Sequence, residues 1–290
     1  MSQLISDKFD EWKKLCDQRF DKLKANEEKL NSFFIDIYGI GDELTPEVDE
    51  RYVSVRKAEL QREIKSLISY AVGCIFGRYS LDKDGLCYAG GEWDTDSYRT
   101  IIPCSINILP VNDVNEGLTA EVISFFEKAY GSDTLEVNLN FIAEALSGDG
   151  DSRTVIHKYL QKDFFSDHVK IYKKRPIYWM FSSGSKGAFR AIIYIHRYDS
   201  ELLTVLENEY AAPRYEQLKK ELSELDSAYK HSSASQKAEL RKKISRSQAL
   251  ILEMEGFMHS LHNLALQKPV LDLDDGVKAN YEKLRNILAQ

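Results

Sequence analysis

The densest group of residues able to do chemistry lies between positions 151 and 200, where ten cationic side chains stand against four acidic ones. Lys170, Lys173, Lys174 and Arg175 run directly into the bulky apolar stretch Ile177–Phe181, and Lys186, Arg190 and Arg197 follow. Between the apolar runs lies Ser182-Ser183-Gly184-Ser185-Lys186-Gly187. Cations with small hydroxyl donors on a fixed frame are what phosphate contacts require. The candidate DNA contacts are therefore Lys170, Lys173, Lys174, Arg175, Lys186 and Arg190 on phosphates, with Ser183 or Ser185 reaching a groove edge. The competing reading is a basic surface that balances its acidic neighbour, since residues 81–150 carry thirteen acidic and three cationic side chains. The overall charge of -7 argues against a uniformly basic coat.

Other constellations carry less. Gly184-Ser185-Lys186-Gly187 is too short for a phosphate-cradling glycine loop and sits between strands. No G-x-S-x-G elbow occurs. His259 and His262, with Glu255 one turn earlier, have a spacing that can hold a metal, but the pattern is not H-E-x-x-H, and two histidines flanking a packed stripe is the plainer account. Asp272, Asp274 and Asp275 before Gly276 lack the ligand ladder of a calcium loop. Glu92, Asp94 and Asp96 in a tyrosine-rich loop offer paired carboxylates without a partner at a telling spacing. No catalytic, cofactor-binding or metal residue is assigned.

The elements that position the basic segment follow from periodicity. The fold class expected is α+β, mostly helical. Phe9, Trp12, Cys16, Phe20, Leu23, Leu30, Phe34 and Ile37 form one stripe of a long first helix closed by Gly39. Thr45-Pro46 has the form of a cap opening a short helical turn. A second helix is expected from about Val55 to Gly77. Short strands and loops punctuated by glycine and proline follow to Val111. Thr119 and Asp133 stand as caps for helices over about 120–130 and 134–146. The runs at 177–181 and 188–194, joined by the Gly/Ser loop, read as a β-hairpin. After Asp199 the pattern is an antiparallel helical hairpin, with Ser233 and Gln236 as a capping box between its arms. The corresponding divisions are a helical connector (1–78), a mixed α/β module (79–198) and a helical hairpin with a C-terminal cap (199–290).

Several blocks together resemble a known family. Asn31-Ser32-Phe33-Phe34-Ile35-Asp36-Ile37-Tyr38-Gly39, then Asp42-Glu43-Leu44-Thr45-Pro46, resembles the segment that follows the catalytic domain in the PglX adenine methyltransferases of BREX phage defence. Ile64–Cys74 with Phe76-Gly77-Arg78-Tyr79, Lys174-Arg175-Pro176-Ile177-Tyr178-Trp179, Tyr194-Ile195-His196-Arg197-Tyr198-Asp199 and Asp272–Val277 with Asn280-Tyr281 resemble later blocks in the same order. The resemblance implies the C-terminal half of such an enzyme. Its catalytic N-P-P-[YF] motif and glycine-rich cofactor motif are absent from this sequence. By that likeness the chain transfers no methyl group, S-adenosylmethionine belongs to the catalytic half, and this half reads double-stranded DNA while the other flips the base. The partners implied are DNA, the catalytic methyltransferase half and other BREX proteins; the alternative function is a protein-interaction module docking those components or a phage inhibitor. Four unpaired cysteines and the lack of an ~18-residue apolar run suit a soluble cytoplasmic protein with no membrane association.

Overall fold

A computed structural model describes residues 3–289. Its centre is a small antiparallel sheet, order β1-β3-β2, made of β1 (Leu109–Pro110), β2 (Tyr178–Ser182) and β3 (Arg190–Tyr194). The hairpin pairs Tyr178 with Tyr194 and Ser182 with Arg190, and β1 adds Leu109 opposite Ile192. Side chains alternate across a pleated strand. Tyr178, Met180, Ile192 and Tyr194 therefore enter one core, and Trp179, Phe181, Ala191 and Ile193 the other. Burial on both faces explains why β2 is an unbroken apolar run instead of an alternating one.

The first core is built by α2 (Leu60–Ile75), α3 (Gly117–Tyr130), α4 (Leu135–Ala145), α5 (Ser152–Lys162) and α6 (Phe164–Ile171). Ile68, Val72, Phe126, Leu139 and Leu160 are fully buried there. The second core packs α7 (Leu202–Val205), α8 (Ala212–His231), α9 (Ala234–Gln267) and α10 (Val277–Leu284) on the opposite sheet face. A π-helical stretch, Leu206–Ala211, joins α7 to α8 without a break. The Ser233/Gln236 capping box forms as its spacing predicts, and Met254 and Leu261 of α9 are fully buried. α1 (Ile5–Tyr38) packs at its N-terminal half through Ile5, Cys16 and Phe20, and closes on Gly39 at φ 64°.

Three local expectations differ from the structure. Thr45-Pro46 opens no helix; residues 44–49 have no regular structure, and the Pro46 carbonyl accepts from Asn31 Nδ2 at 3.2 Å. Thr119 does not cap α3, which begins at Gly117; its hydroxyl is fully buried and meets His157 Nδ1 at 2.9 Å. Asp133 lies in a 3-10 turn before α4, whose cap position is Thr134. For Thr119 a tertiary bond takes the hydroxyl that local spacing assigns to a cap.

Candidate nucleic-acid interface

The basic segment begins where α6 ends. Lys173 and Lys174 both occupy the left-handed region, at φ 50° and 63°. Each non-glycine residue held there costs roughly 1–2 kcal/mol, so the surroundings must fix the turn. Backbone bonds run from Lys173 N to Lys170 O at 3.1 Å, from Lys174 N to Val169 O at 2.9 Å and from Arg175 N to Tyr172 O at 2.9 Å. The stronger anchor is His168, whose Nε2 accepts from Ile177 N at 3.0 Å and Tyr178 N at 3.1 Å. Accepting two N–H groups leaves its proton on Nδ1. Its ring is 2% exposed, and burial, reinforced by the charge of Arg78, lowers its pKa to about 4. A neutral buried imidazole thus ties α6 to the start of β2 and sets the cationic turn between them.

Around that turn the cations divide. Lys170 stands 3.6 Å from Asp167, which is held more closely by Lys65 at 2.8 Å. Lys173, Lys174, Arg175 and Lys186 are exposed and make no ion pair among the described residues. Arg197, also basic in sequence, is used internally: it donates to the carbonyls of Phe76, Cys104 and Ser105 and lies 4.8 Å over the Trp93 ring.

The Gly/Ser loop is clamped from 70 residues away. Glu253 on α9 accepts from Ser183 Oγ at 2.8 Å, Lys186 N at 2.7 Å and Ala188 N at 3.0 Å. Burial pushes its carboxyl up, but these hydrogen bonds outweigh it and hold the group below its ordinary value. Gly184, at φ 142°, is needed: a Cβ there would lie 2.7 Å from Glu253 Oε2. Ser183 spends its hydroxyl inside the loop, also accepting from Phe189 N at 2.8 Å, so it shapes the turn. Ser185 and the Lys186 side chain face solvent. Arg190 is half-buried, with Nη1 donating to Gln161 O at 2.9 Å and its Nε buried without a partner among the described residues.

Two adjoining hollows connect these pieces. A groove of about 500 Å³ runs between α6 and α10, lined by Phe165, Val169, Lys170, Lys174, Lys278 and Tyr281. A second hollow of about 410 Å³ holds Ser183, Ser185, Arg190, Arg285 and Asn286. Ala289 lines both. It is held there because the chain's last described residues cover the free edge of β2: Leu288 bridges to Phe181 and Ala289 N donates to Met180 O at 2.8 Å. Lys278 and Arg285 thus join the basic strip, although nothing in their local sequence marks them. The acidic loop has another role. Asp82 accepts from Arg99 N, Thr100 N and Thr100 Oγ1, which hold it down to about 2, and so ties the two ends of the loop together, while Asp94 accepts from Ser97 Oγ at 2.6 Å and caps the turn that follows it.

No family model matches the chain. Two curated relatives do. An adenine-specific methyltransferase PglX from Lacticaseibacillus casei (strain Zhang) is 42% identical over 283 residues, 95% of this chain and 24% of that protein. An adenine-specific methyltransferase BrxX from Escherichia coli O9:H4 (strain HS) is 35% identical over 244 residues, 78% of this chain and 20% of that protein. The chain therefore spans a quarter or less of the length of these relatives. No described helix is long and apolar enough to cross a membrane.

Proposed function

From the kinship of this chain with a quarter of the PglX and BrxX adenine-specific methyltransferases, we propose that it is the non-catalytic C-terminal region of a BREX enzyme and recognises double-stranded DNA. The methyl transfer and its S-adenosylmethionine belong, in this reading, to the part of the enzyme outside this chain. The observation that carries it is the strained cationic turn Lys173-Lys174-Arg175, without an ion pair among the described residues, beside a strip that also holds Lys170, Arg190, Lys278 and Arg285. This turn supports the reading by holding three exposed cations in one fixed place without intramolecular ion pairs among the described residues. Phosphates suit it, because each cation that reaches one releases condensed counterions. Ser185, at the exposed loop tip, remains the hydroxyl available to a groove edge, while Ser183 acts by holding the loop in shape.

Fluorescence anisotropy of a labelled duplex, titrated at rising salt, tests this. Lys173→Ala/Lys174→Ala/Arg175→Ala is expected to weaken binding and to lower the slope of log affinity against log salt by roughly 0.9 per lost contact. Binding by the parent with an unchanged slope in the triple variant would remove this turn from the interface.

A further inference from the structure

The C-terminal half of α1 leaves the body of the molecule. Beyond Phe20 no residue of the helix is fully buried. The following segment folds back along one side: Val48 N donates to Glu28 Oε1 at 3.2 Å, and Lys57 Nζ lies 4.5 Å over the Phe20 ring. The other side is bare. Leu30, Phe33, Phe34, Ile37, Tyr38 and Leu44 are each at least 51% exposed. Phe33 and Phe34 meet edge to face at 5.9 Å, and Phe34 stacks on Tyr38 at 6.5 Å, so the rings form one patch at the tip of an arm. Scattered exposed apolar residues need no account, but a contiguous aromatic patch marks an interaction surface.

Charge selects what covers it. From residue 30 to 48 the chain carries Asp36, Asp42, Glu43 and Glu47 and no lysine or arginine. Nucleic acid and an anionic bilayer are repelled by such a tip, and a second copy would bring the same carboxylates against each other. A protein surface with an apolar centre and cationic rim fits. The polypeptide at hand for it is large, because the matched residues make up only 24% of the PglX relative. We propose that the tip of α1 docks onto the part of the methyltransferase that lies outside this chain, whether in the same polypeptide or a separate one. This rests on the reading of the chain as one region of such an enzyme. It adds that the arm, at the opposite chemical extreme from the basic strip, is the coupling surface.

The test is photo-crosslinking in the cell that encodes the chain, with p-benzoylphenylalanine replacing Phe34 and adducts identified by mass spectrometry. Adduct peptides should align with the PglX relative outside its 283 matched residues. Adducts to a second copy, adducts to any other protein, or no adduct at all would each overturn the assignment. Phe33→Ser/Phe34→Ser, at exposed positions and so expected to fold, should cut the equivalent adduct from p-benzoylphenylalanine at Tyr38 at least tenfold. The same variant should leave duplex-DNA anisotropy unchanged. Loss of DNA affinity in it would put the tip in the nucleic-acid face and refute the docking role, whereas failure of DNA binding in the parent bears on the basic strip alone.

Discussion

Glu253→Ala should unfasten the Gly/Ser loop without disturbing the hairpin beneath it. The carboxylate holds three donors, and they are not equal in cost. Ala188 is fully buried, so its N–H is left without an acceptor, a penalty of ~1–3 kcal/mol. Lys186 is exposed and its N–H rehydrates. Ser183 Oγ keeps the Phe189 carbonyl at 3.2 Å. Those two together add about 0.5–1 kcal/mol. The expected loss is about 2–3 kcal/mol, or a melting point lower by roughly 3–5 °C for a chain of this size. Urea titration followed by tryptophan fluorescence measures the first, and amide exchange at Ala188 reports the orphaned group directly. The pH dependence gives a second handle. Glu253 is held below its ordinary 4.5, so its contribution is fully present above that value and disappears as pH falls through the lower folded value. Parent and variant should therefore converge in acid. A variant within about 0.5 kcal/mol of the parent at neutral pH, with Ala188 exchange unchanged, would refute the clamp.

Other consequences are equally direct. His168→Phe leaves the Ile177 and Tyr178 N–H groups unpaired and should cost about 2–4 kcal/mol by denaturant titration. The native histidine, with a folded pKa of about 4 against 6.5, favours the unfolded chain as pH drops from 6.5 toward 4; this is worth about 3 kcal/mol in total and should be missing from the pH profile of the variant. Asn280 is fully buried; its amide donates to Asp272 O and Gly276 O, and its carbonyl accepts from Asp272 N at 3.0 Å. Asn280→Ala should loosen residues 270–284 by ~2–3 kcal/mol, seen as faster limited proteolysis there while the sheet amides stay protected.

The hairpin, the helical hairpin and its capping box are legible in the sequence because each rests on neighbours in the chain: two bulky runs around a Gly/Ser loop, two apolar stripes, a serine three residues before a glutamine. The cationic turn is legible as composition. Its geometry is not, because the left-handed pair at Lys173-Lys174 is fixed by His168, whose periodicity is that of an ordinary helical residue. Glu253 sits on a helix face like any exposed glutamate and is assigned only when the loop 70 residues earlier is laid against it. Lys278 and Arg285 reach the strip because the C-terminal residues seal the edge of β2, a pairing that no local pattern encodes. Thr119 shows the converse: good cap chemistry, redirected to His157 once the fold brings that ring within reach.

The two-sided sheet also constrains how the molecule comes together. β2 and β3 have almost no solvent-facing positions, since successive residues enter different cores. Their closures are distant in sequence: Asn107 brackets Tyr194 across 87 residues, donating to its carbonyl and accepting from its N–H. Closing such loops consumes chain entropy before contacts repay it, so the hairpin, local in itself, docks into its two cores late and slowly. Until the helices after residue 200 arrive, Trp179, Phe181 and Ile193 have nothing to cover them. During synthesis the nascent chain would expose that aromatic face for the time needed to add roughly ninety residues, about 5–20 s. The strand to which His168 ties the cationic turn in the finished protein is then the one most dependent on protection while the chain is being made.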